Sequence, residues 1–162
     1  MMIVKYPNPI LSERMPKFDF SNPLYDPVQL EKDLLNAMYE HDGIGLAANQ
    51  VGITARVFVI GHKDQPKKGM VFFNPMVIAN TDDIEDIEEG CLSFPNVFVK
   101  VKRPTAIKAR WQNSKGEEVE GTFSGYDCKC FLHELDHLEG ITFKDRVSSL
   151  KWAMSIKKSK RK

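Results

Sequence analysis

The stretch His133-Glu134-Leu135-Asp136-His137 constrains this chain more than any other. On a helix, residues i and i+4 stand one above the other on the same face, so the two histidines can reach a single metal ion. Glu134 is rotated by roughly 100° from His133 and can address a water at that metal rather than the metal itself. A fold that uses the motif must therefore bury this helix, bring a third ligand from elsewhere and leave an opening for a substrate.

The 162 residues, 42% of them apolar, suffice for one domain over 1–162 with a sizeable core. No apolar run approaches the ~20 residues that span a bilayer, so no membrane association is expected. The opening Met1-Met2-Ile3-Val4-Lys5-Tyr6-Pro7 lacks the apolar core of a secretion signal. Three cysteines, an odd number, suit reduced thiols and a cytoplasmic compartment. The net charge of +1 is uneven: Lys151, Lys157, Lys158, Lys160, Arg161 and Lys162 lie in the last twelve residues, with no acid among them. Such a tail suits contact with an anionic partner such as nucleic acid, and equally suits a frayed, solvated terminus.

Pro7, Pro9, Pro16 and Pro23 mark residues 3–24 as an extended, turn-rich arm. Asp26-Pro27 reads as an N-cap with proline in the first helical position. The apolar spacing from Val28 to Tyr39 predicts a helix over about 27–41, with Gly43 supplying the stop. The small residues of Gly43-Ile44-Gly45-Leu46-Ala47-Ala48-Asn49-Gln50 let backbone approach a ligand or another segment closely. They match neither a dinucleotide fingerprint nor a phosphate loop. Strands are expected over 56–61 and 70–79, with Pro75 implying an edge position or a break. An acidic stretch, 82–89, leads into Gly90-Cys91. Period-two alternation predicts strands over 97–101 and 107–111, and a further one over 119–123. Two helices separated by strands, without regular βαβ alternation, indicate an α+β domain with strands packed around a central metal-binding helix.

The third ligand is narrowed by elimination. Phe143 stands where a three-histidine motif would place its last histidine. Glu139 is only two residues past His137 and points to another face, while Asp145 stays possible. Cys130 lies on the histidine face but ~10 Å along the axis from His137 at ~1.5 Å per residue, and Cys128 points away. Cys91, in a glycine-flanked loop, is free to fold back over the helix, which favours a Cys91-His133-His137 site.

Three segments then line up with one family. Gly43–Gln50 resembles the G-x-G-x-A-A-x-Q motif of peptide deformylases, Glu89-Gly90-Cys91-Leu92-Ser93 their E-G-C-L-S motif, and His133–Gly140 their H-E-x-D-H-L-x-G. The resemblance runs from Ile3 to about Asp145. It implies a metal-dependent hydrolase that removes the formyl group from the N-terminal formyl-methionine of nascent polypeptides. By the same resemblance Cys91, His133 and His137 hold one divalent ion, Fe²⁺ as the native metal, with Zn²⁺, Ni²⁺ or Co²⁺ able to occupy the site. Glu134 is then the general base and acid, and the Gln50 amide and Leu92 N–H are the oxyanion donors. Gly43, Ile44, Gly45, Ile87, Glu89, Gly90, Tyr126 and Cys130 are expected around the substrate, with Glu89 and Asp136 supporting the ligands and Asp136 paired with Arg103. A monomer is expected. Leu132 stands where many members carry Gln, and Lys129 where an apolar residue is common. In bacterial relatives a longer C-terminal helix is associated with ribosome docking; here about 147–162 is expected to form a short helix with Val147, Leu150 and Met154 on one face, ending in the basic tail.

Overall fold

A computed structural model describes residues 1–161; Lys162, the last residue of the basic tail, lies outside the described residues. The first helix, α1 (Pro27–Glu40), starts where the sequence places it: the Asp26 side chain accepts from Gln29 N at 3.0 Å, with Pro27 directly inside. Such a cap is worth about 1 kcal/mol. The stop differs by one residue. Asp42 takes the left-handed conformation (φ 58°), and Gly43 N closes back on Met38 O at 2.9 Å. Gly43 answers to a contact instead, since a Cβ there would lie 2.8 Å from Leu92 Cδ1.

After α1 come β1 (Gly45–Ala47), β2 (Val57–Ile60), β3 (Met70–Asn80), β4 (Ile84–Cys91), β5 (Phe94–Pro104), β6 (Ala106–Gln112) and β7 (Glu118–Ser124). Two helices follow, α2 (Gly125–Leu138) and α3 (Ser149–Ser159). Five strands form one sheet in the order β1-β2-β3-β6-β7, and β4 and β5 form a separate hairpin. Every pairing among the described residues is antiparallel. This is the α+β architecture that the pattern of elements implied.

Period-two alternation explains the layers. Val57 and Val59 face α1, where they meet Leu30, Leu34, Ala37 and Met38. Phe58 and Phe72, on the opposite face, meet Phe131, Cys128 and Leu138 of α2 together with Trp111. The sheet is thus sandwiched between α1 and α2. Each fully buried large side chain contributes about 1.5–3 kcal/mol, so α2 is seated by Phe131 and Leu138 before any metal is considered. The hairpin packs its inward Val97, Val99 and Val101 against Phe143, Trp152 and Ile156.

Three details are decided by the tertiary structure. Pro75 sits in β3, central in the strand order, but β2 pairs with it only as far as Phe73, so at Pro75 the strand has β6 alone as a neighbour and both the edge position and the break occur. Register slips between Phe73 and Met76, and Asn74 adopts φ 49°, which accommodates a residue without an N–H. The acidic stretch, to which the sequence assigns no element, forms β4, paired along its length with the lysine-bearing β5, and Cys91 ends that strand rather than lying in a loop. The C-terminal helix forms, but its buried side is Trp152 and Ile156 with Val147, while Leu150 and Met154 are exposed.

The proline-rich arm is pinned rather than free. Val4 N donates to Gln50 O at 2.7 Å, Tyr6 N to Ser93 O at 3.0 Å and Met15 N to Leu138 O at 2.7 Å. It thereby ties together the three segments that carry the motifs.

Candidate metal centre

α2 begins after the extended residue Ser124 and places Asp127 in its first turn and His137 in its last, both favourable to the helix dipole. His133, Glu134 and His137 lie on its buried side. Cys91 ends β4, where the hairpin register slips between Gly90 and Cys91. A Cβ on Gly90 would lie 2.8 Å from the Phe98 ring. The slip turns Cys91 over α2, and its Sγ comes to 3.3 Å from His137 Nε2. One ligand atom from each of Cys91, His133 and His137 lies within 4.8 Å of the others.

The donor set fits a divalent ion. His133 Nδ1 lies 2.7 Å from Glu89 Oε1, so that nitrogen is spent and Nε2 is left to face the other ligands. A thiolate and two imidazoles accept Fe²⁺, Zn²⁺, Ni²⁺ or Co²⁺ alike. Glu134 Oε1 is buried without a hydrogen-bond partner, and burial pushes its carboxyl up to about 7. A carboxyl of that kind exchanges protons near neutrality. Gly45 explains how β1 passes so close: a Cβ there would lie 2.5 Å from Glu134 Oε2. Gln50 is 1% exposed. Its Oε1 accepts from Ala47 N at 3.0 Å, and its Nε2 donates to Ser93 Oγ at 3.1 Å and towards Cys91 Sγ at 3.5 Å.

Behind the ligands runs a buried chain of charges. Arg103, 3% exposed, donates through Nε and Nη2 to both oxygens of Glu89 at 2.8 and 3.0 Å, and through Nη1 to Asp136 Oδ2 at 2.7 Å. Arg146 closes the other side of Asp136 at 2.6 and 3.0 Å. Burial alone would push Glu89 up, but His133 and Arg103 outweigh it and hold the carboxyl at about 2. Burial likewise opposes charge on Arg103, and Glu89 and Asp136 more than restore it. The Asp136–Arg103 pair matches expectation. Arg146 was not foreseen, because a short 3₁₀ turn, Phe143–Arg146, delivers it from outside every motif.

A cavity of about 570 Å³ opens onto the ligands. Of the residues expected around the substrate, Gly43, Ile44, Gly45, Gly90, Tyr126 and Cys130 line it, as do Gln50, Leu92 and Glu134. Ile87 and Glu89 do not. Ile87 is half-buried on β4, and Glu89 sits behind His133. Lys129, Phe98 and Asn96 line it without having been assigned there. β1 is the edge of its sheet, and with Ala47 N already bonded to Gln50 Oε1 it is Gly45 that its outer side offers to an extended peptide.

The profile of the polypeptide deformylase family matches residues 1–153. A peptide deformylase of Aquifex aeolicus is 40% identical over 159 residues, covering 96% of this chain and 92% of that one. One from Thermotoga petrophila is 44% identical over 125 residues, 77% of this chain and 74% of its own. Among solved structures, the Thermotoga maritima peptide deformylase superposes with a TM-score of 0.83 at 36% identity, covering 91% and 97% of the two chains. The Synechococcus elongatus enzyme in complex with actinonin gives 0.89 at 30% identity, covering 99% and 86%. With the ligands, the unpartnered carboxylate and the cavity in one place, the chain belongs to the polypeptide deformylase family, metal-dependent hydrolases that remove the N-terminal formyl group from nascent polypeptides.

Proposed function

We propose that Cys91, His133 and His137 hold Fe²⁺ and that Glu134, Gln50 and Leu92 carry the chemistry on a formyl-methionyl peptide. The observation that carries this reading is the buried, unpartnered Glu134 Oε1 beside the three convergent ligands. A divalent ion bound there supplies Lewis acidity and lowers the pKa of water from 15.7 towards ~7. Glu134 takes a proton from the attacking water and hands it to the departing amine as the formyl C–N bond breaks, yielding formate and a free N-terminus. Negative charge developing on the formyl oxygen is met by Gln50 Nε2 and the Leu92 N–H. Gln50 Nε2 can re-aim at little cost, because its contact with Cys91 Sγ is long at 3.5 Å. The substrate backbone adds to β1 at Gly45, beside Gly43 and Gly90, and its first side chain lies against Ile44, Tyr126 and Cys130.

Anaerobically prepared, iron-loaded protein should release formate from formyl-Met-Ala-Ser. Gln50→Ala should keep its metal and lose about 10²–10³ in kcat, the usual cost of one oxyanion donor. Metal-loaded wild type that yields no formate would sink the reading.

The same reading takes residues 1–162 as one domain and the chain as a cytoplasmic monomer, to be checked by sedimentation against its 18.5 kDa and by cell fractionation. No helix among the described residues is long and apolar enough to cross a membrane. We further propose that α3 touches the ribosome. Lys157, Lys158, Lys160 and Arg161 are exposed at its end, and basic side chains on RNA phosphates make binding salt-dependent. Ribosome co-sedimentation should fall as salt rises and fall further in Lys157→Glu/Lys158→Glu; identical pelleting of both proteins at every salt concentration would remove α3 from any contact.

A further inference from the structure

α2 presents Tyr126, Lys129, Cys130 and His133 to the cavity, the i, i+3, i+4, i+7 stripe of one helix face. Three of these suit an apolar slot or a ligand, whereas Lys129 puts a charge there. The residue is only 5% exposed. Its Nζ lies over the Tyr126 ring, 3.8 Å to the centroid; its charge is also felt by Glu134, but no hydrogen bond or ion pair joins it among the described residues. A ring face replaces part of the hydration an ammonium gives up on burial, but leaves its N–H donors without acceptors. A peptide that fills the cavity excludes solvent from those donors, so what it sets opposite them decides the cost.

Geometry says which part of a substrate that is. Lys129 and Cys130 lie one helical turn before His133, about 4.5–6 Å along the axis at ~1.5 Å per residue. Helical side chains lean towards the N-terminus, as the position of Nζ over Tyr126 requires. A first side chain that leaves the ligand cluster along this face ends beside Nζ.

We infer that Lys129 determines specificity for the substrate's first residue, its ammonium donating a hydrogen bond to an acceptor near the end of that side chain. The slot therefore favours a side chain that carries a strong acceptor at its third atom, as methionine sulfoxide does on its sulfur, over an apolar one of the same length. The inference rests on the placement of the first side chain against α2 given above.

The test compares formyl-methionine-sulfoxide-Ala-Ser with formyl-norleucine-Ala-Ser, norleucine having methionine's length and no acceptor. Wild type, Lys129→Met and Lys129→Arg are matched for metal content and circular dichroism. The sulfoxide-to-norleucine ratio of kcat/KM should fall about tenfold or more in Lys129→Met, the size expected for one hydrogen bond to a charged group. The change should sit in KM, and Lys129→Arg should retain most of the preference. Calorimetric Kd values for the two unformylated product peptides should shift by the same ratio. Equal ratios in wild type and Lys129→Met overturn the inference, while turnover of the norleucine peptide by wild type leaves deformylation standing. Formate from neither peptide, with formyl-Met-Ala-Ser still turned over, overturns the inference alone; no formate from any of the three overturns both.

Discussion

Glu134→Gln is expected to abolish most formate release while leaving the metal in place. The carboxyl is not one of the three clustered ligands, so metal content should match wild type. What is lost is a proton acceptor and donor: Oε1 has no partner within the protein, and burial sets the carboxyl at about 7. General acid–base catalysis by one positioned group accounts for about 10²–10⁴ in rate, and kcat should drop by that much. Stability should hold or rise, because a neutral amide replaces a buried acid that has no bonded partner at Oε1. Single-turnover formate release, metal analysis and thermal melts on the same preparation decide the matter. A variant retaining a tenth of wild-type kcat would remove Glu134 from the proton transfers.

The second large effect is structural. Arg103→Ala should lower the free energy of unfolding by about 3–5 kcal/mol, since removing one member of a buried ionic network strands the others. Glu89 and Asp136 would each lose a bonded partner at 2.7–3.0 Å, and Arg146 could compensate only Asp136. Arg103→Lys should restore little of this, because a lysine cannot give the two parallel bonds that Glu89 receives. With Glu89 released, His133 loses the carboxylate that holds its Nδ1 at 2.7 Å. Metal affinity should fall by about 10–100-fold, the usual cost of losing such a supporting contact. Urea denaturation, expected to be a single transition for one domain, and metal competition measure the two parts. An unfolding free energy within 1 kcal/mol of wild type would contradict the role given to the network.

How much of this was readable without coordinates depends on the range of the interaction. α1 was legible because an N-cap, a proline and helical spacing act within a few residues, α2 because its histidine motif itself requires a helix, and β5, β6 and β7 because alternation is a local property of an extended chain. β4 was not, since its acidic residues become a strand only when the lysines of β5 lie opposite them. Pro75 carried two local meanings, edge or break, and only the pairing register showed that both hold there, since β2 ends opposite Phe73. For α3 the sequence offered an apolar set, but Trp152 and Ile156 are half-buried because Phe94, from β5, and Phe143 come to meet them, and Phe94 lies far back along the chain.

The same division runs through the site. The sequence by itself determined that two imidazoles share one face of α2, that Glu134 stands beside them and that Cys91 is the thiol free to join them. These follow from helix geometry and from the lack of alternatives within reach. Glu89 was expected to support the ligands; only the tertiary structure decided that it reaches Nδ1 of His133, 44 residues away, that Ile87 lies off the cavity, and that Lys129 turns its ammonium over Tyr126 inside it. Spacing along one helix fixes which side chains share a face, whereas the surroundings of that face are set by segments that loop closure brings from far along the chain, and burial among them gives each charge its strength.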